Sequence, residues 1–319
     1  MSGLNNNGSL KPSVLVIGAG AIGALYGSVL ARQGARVSVV CRSDYDAVSG
    51  NGYAIKSKSL GDHVFKPERV LRRVADYSPA PDYLIVAVKV LEGEDRVGLM
   101  RPAVGRTTVI VLLENGIDIE PEIVQAFPGH EVLSCLAYVA ASRLEHGQIV
   151  HHSYGHLVLG KFPAGATPAA TRLGALWEAG GINCKITENV AAARWQKAVW
   201  NTVFNPLSVL GGVLTTAEML SSPAAEAFVR EGMNEVCAVA AAAGYPVPPD
   251  LPQRHIDGTR AMPPYKTSMA LDYENRRPLE VEAILGNVVR AGRRAGVPMP
   301  VLESLYAMTK MVEHKARSH

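Results

Sequence analysis

Cysteine is scarce: the 319 residues hold four, Cys41, Cys135, Cys184 and Cys237, far apart and without a CxxC pair. That spacing argues against a disulfide framework and a clustered zinc site, and it makes a reducing cytosol the default compartment. Long apolar runs are missing too, none approaching the ~18 residues a membrane span needs. The polar opening MSGLNNNGSLKPS lacks the apolar stretch of a signal peptide and reads as a flexible lead-in over 1–12. Charge of one sign is also lacking, since 32 Lys and Arg stand against 29 Asp and Glu for a net +3. With no basic run interleaved with aromatics, nucleic acid is not an expected partner. What remains is 48% hydrophobic and 19% charged, the balance of a soluble globular chain long enough for two domains.

The first half alternates short β-branched runs with helical patterns. SVLVIG (13–18), RVSVVC (36–41), YLIVAV (83–88) and TTVIVLL (107–113) are nearly continuous in apolar residues, which predicts parallel strands covered on both faces. Helices are expected at about 21–33 and 118–127. The runs EVLSCLAYVAASRL, GQIVHHS and HLVLGKF predict an antiparallel extension of the sheet. After a helix near 169–179 the character changes, and from Thr187 onward no strand alternation is found. Helical patterns cover about 188–205, 223–243, 278–295 and 299–314, with Thr187 available to cap the first. The expected class is α/β: a dinucleotide-binding Rossmann domain over 13–185, followed by an all-α domain over 186–319.

VLVIGAGAIG places Gly18, Gly20 and Gly23 in a G-x-G-x-x-G frame between a strand and a helix, the context the motif requires. Gly18 permits the tight turn, Gly20 lets backbone approach a pyrophosphate, and Gly23 lets helix pack on strand. Ala21 and Ile22 open the helix, whose positive end would face the phosphates. An NAD site normally carries a carboxylate at the end of the second strand. Here Arg42 and Ser43 stand there, and a guanidinium suits a phosphate, so NADPH is the expected cofactor. Asp44 keeps the alternative open: a longer strand would bring it to the ribose.

AARWQKAVWNTVFNPL (192–207) is mostly apolar, yet Lys197, Asn201 and Asn205 recur every fourth residue, with Arg194 on the same side. Such spacing stacks them on one helical face within about 80° of arc. The stripe either faces water on an ordinary amphipathic helix or lines a polar cleft where a lysine has chemistry to do. Asn205 precedes Pro206, where a helix must end or kink.

LIVAVK ends a strand on Lys89, VLLENG ends the next on Asn115-Gly116, and TSMALDYENRRPLEVEAILGN sets Ser268 twelve residues before Glu280. Together with the glycine turn and the K-x₃-N-x₃-NPL helix, these resemble the ketopantoate reductase (2-dehydropantoate 2-reductase) family from about residue 12 to about 310. The resemblance implies a Rossmann domain, a helical domain of the 6-phosphogluconate dehydrogenase C-terminal type and a cleft between them. It also implies NADPH-dependent reduction of a small 2-oxo acid to the 2-hydroxy acid, as in pantothenate biosynthesis, and relatives suggest a homodimer. Lys197 falls on the family's catalytic lysine, and Glu280 on a glutamate that meets substrate and balances it. Asn201, Asn205 and Ser268 fall on or beside substrate-binding positions. Lys89 and Asn115 end adjacent strands at the ligand-binding edge of the sheet, Lys89 toward cofactor and Asn115 toward cofactor and substrate.

Two positions depart from the family pattern. Glu114 stands where Gln usually precedes Asn-Gly, adding an expected anion near the nicotinamide, and Thr215 stands in place of a substrate-contacting asparagine. Both leave the hydride chemistry intact but open the question of which 2-oxo acid is used. Two rival readings are a Rossmann dehydrogenase of β-hydroxyacid or opine type and a dinucleotide-binding regulator without turnover. His151 reads as structural and Tyr265 as packing.

Overall fold

A computed structural model of the chain describes residues 11–317. Apart from Lys11 and Pro12, the lead-in expected over 1–12 lies outside the described residues. In chain order the strands and helices are β1 (Ser13–Ile17), α1 (Ala21–Arg32), β2 (Arg36–Val40), α2 (Tyr45–Asn51), β3 (Tyr53–Ser57), β4 (His63–Phe65), β5 (Val70–Leu71), β6 (Tyr83–Val86), α3 (Arg96–Met100), β7 (Val109–Leu112), α4 (Pro121–Ala126), β8 (Val132–Glu145), β9 (Gln148–Lys161), α5 (Pro168–Ala179) and β10 (Cys184–Ile186). Helices follow: α6 (Val190–Leu210), α7 (Pro223–Ala242), α8 (Leu251–Ala261), α9 (Ser268–Glu274), a π-helical stretch at Glu282–Gly286, α10 (Asn287–Ala295) and α11 (Pro300–Arg317). Two compact units result. The first comprises the chain through Lys89, Asp95–Glu114 and Glu120–Val190; the second takes Val90–Glu94, Asn115–Ile119 and everything from Ala191.

The first unit is built on one sheet ordered β4-β3-β9-β8-β7-β6-β1-β2-β5, with β10 also paired to β9. From β5 through β8 the pairing is parallel. Every residue of β1 and β6 is buried, as apolar runs between two helical layers must be. The pleat divides β1: Val14 and Val16 join the core under α1 and α5, while Leu15 and Ile17 join Met100 and Ile123 in the core on the opposite face. GQIVHHS and HLVLGKF, expected as separate strands, are the single strand β9. It pairs antiparallel with β8 through register shifts that absorb the irregular backbone at Tyr154 (φ 61°) and Gly155 (φ 120°). Its other edge is shared between β3, at Gln148–His151, and β10, at Leu157–Leu159.

The helix expected over 118–127 is shorter, Pro121–Ala126. Asn115–Ile119 belongs to the second unit, where Ile117 N–H donates to Ala283 O at 2.9 Å, and that commitment keeps the segment out of a helical ladder. In the second unit α6 does not end at Pro206 but continues to Leu210. Phe204, before the proline, and Val209, after it, are both buried in apolar clusters. That burial on both sides outweighs the ~3 kcal/mol an interior proline costs. The 278–295 pattern holds a π-helical stretch ahead of α10. There the Ala283 and Ile284 carbonyls accept from Ile117 N and Thr202 Oγ1. Sequence reading missed α8, which is polar and contains Gly258, and α9, which is seven residues long.

Candidate active site

The glycine turn leaves β1 at Gly18, whose φ of 86° and whose closeness to Ala87 O (a Cβ would lie 2.7 Å away) admit no side chain. A Cβ on Gly20 would instead meet nothing within 4 Å, so the backbone there presents an open face. No side chain caps the first turn of α1, and no acidic residue occupies it. Open backbone ahead of an uncapped helix start fits the pyrophosphate of a dinucleotide. Ala21 and Ile22 are partly buried at that helix start, with Gly23 buried behind them.

At the end of β2, Arg42 and Ser43 are exposed while Asp44 is 1% exposed. The strand stops at Val40, so the longer strand that would have carried Asp44 to the ribose does not form. The Asp44 carboxylate accepts instead from Arg143 Nη1 (2.6 Å), His146 Nδ1 (2.8 Å) and Ser43 Oγ (3.2 Å). Lys89 follows β6 and is partly buried. Glu114, expected as an anion near the nicotinamide, is completely buried in an ion pair with Arg96 Nη1 at 2.8 Å. Arg96 also reaches the half-exposed Glu122 at 3.1 Å.

In the second unit the polar stripe of α6 is largely withdrawn from water: Arg194 is 4% exposed and Asn205 2%, with Lys197 and Asn201 partly buried. Arg194 Nη1 donates to Gly116 O at 2.9 Å, and Lys197 Nζ donates to Asn115 Oδ1 at 2.8 Å. Two cations one turn apart on α6 thus grip consecutive residues of one short segment. Gly116 (φ 112°) lies so close to the π-helical stretch that a Cβ would sit 2.7 Å from Ala283 Cβ. Asn287 Nδ2 bonds Ile117 O at 2.6 Å and secures the far end. Glu280 Oε1 accepts from Val90 N–H at 3.0 Å, which fixes its carboxylate.

The Asn205 amide is used as a bracket. Its Oδ1 accepts from Ser268 Oγ (3.2 Å) and Met269 N (3.3 Å), and its Nδ2 donates to Asn201 O (3.0 Å). Ser268 itself is exposed at the start of α9, where the buried Asn205 amide holds its hydroxyl. Thr215 spends its hydroxyl on Glu218 at 2.7 Å. Tyr265 stacks on Trp200 with ring centres 6.3 Å apart, the packing role read from sequence. His151 is 4% exposed between Ser57 Oγ (2.9 Å) and Tyr154 O (2.9 Å). The carbonyl can only accept, so Nε2 carries the proton and Nδ1 accepts from Ser57. Burial holds this imidazole below its ordinary value of 6.5, against the pull of the backbone carbonyls and helped by neighbouring His152. Sequence reading missed Arg96, Arg143 and His146; their only signal was charge, and their partners lie between 18 and 102 residues away, beyond what helical or strand spacing connects.

Residues 14–164 match the family model described as Ketopantoate reductase PanE/ApbA, and residues 189–313 match that of its C-terminal domain. This chain belongs to the ketopantoate reductase family. Like that family it pairs a Rossmann domain with a helical domain, and it is an oxidoreductase acting on CH–OH groups. A crystal structure of 2-dehydropantoate 2-reductase from Methylococcus capsulatus is 51% identical, with a TM-score of 0.89 over 95% of this chain and 97% of that one. The 2-dehydropantoate 2-reductase of Nostoc sp. is 31% identical over 95% of this chain and 96% of its own. D-mandelate dehydrogenase, solved with NADH and anilino(oxo)acetate, shares the fold at 21% identity, with a TM-score of 0.87 over 96% and 99% of the two chains. Among the described residues no helix is long and apolar enough to cross a membrane.

Proposed function

We propose that this ketopantoate reductase family member reduces ketopantoate, or a closely similar branched 2-oxo acid, to the 2-hydroxy acid with NADPH. The observation that carries the reading is the Lys197 ammonium, partly buried on the polar stripe of a mostly apolar helix and aligned by Asn115 Oδ1 at 2.8 Å. Bound NADPH supplies the hydride. As the ketone carbon accepts it, charge builds on the oxygen, and Lys197 offsets that charge and donates a proton to it. Solvent reprotonates the lysine. Asn115 keeps the ammonium in one orientation, so less rearrangement is needed at the moment of reaction.

Asn201, one turn beyond Lys197, and Ser268, seated by Asn205, supply donors for the substrate's carboxylate and hydroxyl. Glu280, steadied by Val90 N–H, accepts from a hydroxyl and counters the lysine's charge. On the cofactor side, the Gly18–Gly23 turn receives the pyrophosphate and Arg42 with Ser43 the 2′-phosphate, with Lys89 a second cation at the strand ends. The test follows NADPH oxidation with ketopantoate and a panel of branched 2-oxo acids, in the wild type and in Lys197→Ala. Turnover on ketopantoate that falls about 10²–10⁴-fold in the variant supports the reading. Turnover confined to another 2-oxo acid moves the substrate and keeps the mechanism. Turnover that does not need the lysine refutes the mechanism.

A further inference from the structure

We infer that Arg143, at the tip of the β8–β9 hairpin, sets the preference for a 2′-phosphorylated cofactor by neutralising and turning away Asp44. The inference rests on the NADPH reading above and assigns a positioning residue outside the glycine turn and outside Arg42. Three observations carry it. The residue that would bind the ribose hydroxyls in an NAD enzyme is present as Asp44, only two positions past Arg42. Its side chain is nevertheless buried, and Arg143 Nη1 holds one carboxylate oxygen at 2.6 Å from 99 residues away, with His146 Nδ1 on that same oxygen at 2.8 Å. Finally, Arg143 Nη1 also donates to Ser43 Oγ at 2.9 Å, so one guanidinium orders both residues that follow Arg42.

The hairpin is shaped for this. A register shift between Arg143 and Glu145 breaks the regular ladder just before the turn and re-aims the side chain. Asp44 is the N-cap residue of α2, yet its side chain makes no cap hydrogen bond to that helix: its backbone is already helical (φ −91°, ψ −6°), Oδ1 goes to the hairpin, and Oδ2 is buried without a hydrogen-bond partner among the described residues. The electrostatic consequence has a definite sign. With Arg143 in place, Asp44 adds no net negative charge beside Arg42, and a dianionic phosphate meets a positive surface. Without Arg143, the carboxylate keeps only His146 Nδ1 and Ser43 Oγ, and its negative charge stands without the guanidinium's compensation beside that phosphate and favours unphosphorylated ribose hydroxyls instead. Across ~6 Å with water-like screening, one carboxylate weakens binding of a dianion about tenfold.

The test measures dissociation constants of the purified protein for NADPH and for NADH by nucleotide fluorescence, without substrate, in the wild type, Arg143→Gln, Asp44→Asn and the double variant. The wild type is expected to bind NADPH more tightly. Arg143→Gln should lower the NADPH-over-NADH preference about tenfold or more, and the double variant should restore it to within about threefold of the wild type. A merely structural arginine would show loss and rescue in stability alone, with the NADPH-over-NADH ratio the same in all four proteins. If Arg143→Gln does not fold, Asp44→Asn and the double variant decide, because each should prefer NADPH at least about as strongly as the wild type. A preference unchanged in Arg143→Gln, or lost in the double variant, overturns the inference. A wild type that prefers NADH overturns the cofactor reading itself and the inference with it.

Discussion

Replacing Arg96 by Met removes the ion-pair cation from a carboxylate that has no access to water. The Glu114 side chain is 0% exposed and the guanidinium 5%, with 2.8 Å between them. At about 4 Å between charge centres and an effective dielectric near 20, the pair's attraction is about 4 kcal/mol. Removing one partner of a buried pair costs about 3–5 kcal/mol, because the remaining charge keeps its desolvation penalty. Glu114→Gln should cost less, about 1–2 kcal/mol, for two reasons. The amide oxygen still accepts from Arg96, and Arg96 keeps Glu122 at 3.1 Å, whose side chain is 56% exposed. The double change Arg96→Met with Glu114→Met removes both charges and should recover more than half of the single arginine loss. Urea unfolding at pH 7, read by fluorescence and far-UV circular dichroism, gives the three differences. An Arg96→Met variant no less stable than Glu114→Gln, or a double variant as unstable as the single, would refute the idea that this pair is held by mutual compensation.

Gly116→Ala should destabilise by about 2–4 kcal/mol, from a left-handed φ and a Cβ forced onto Ala283, and should lower turnover by displacing Asn115 from Lys197. Thermal unfolding and steady-state rates check this, and a variant within ~0.5 kcal/mol of wild type with full turnover would contradict it. For His151, burial lowers the folded-state pKa, so the unfolded chain binds the proton more readily. Its stabilising contribution is therefore complete above the ordinary value of 6.5 and is lost as pH falls through the lower folded value. The stability gap between wild type and His151→Gln should narrow as pH falls from about 7.5 to about 5, and a gap that widens would reverse the assigned sign.

What could be read along the chain is what local chemistry sets. The glycine turn depends on three positions within six residues, bounded by a strand and a helix, and the structure leaves open backbone at Gly20. Four apolar runs announced the parallel sheet because strands covered on both faces cannot afford alternation. The stripe of Lys197, Asn201 and Asn205 followed from helical periodicity alone. Tertiary structure decided the partners. Periodicity does not say that Asn205 would brace Ser268, 63 residues on, or that Lys197 would meet Asn115, 82 residues back. Nor does it say that Glu114 and Asp44, both legible as anions beside a cofactor, would be consumed by Arg96 and Arg143. Proline rules argued for an end or a kink at Pro206, and burial of apolar residues on both sides carried the helix past it to Leu210. A residue's type and spacing determine which face it shares, whereas the charge it presents depends on what the fold brings against it from elsewhere in the chain.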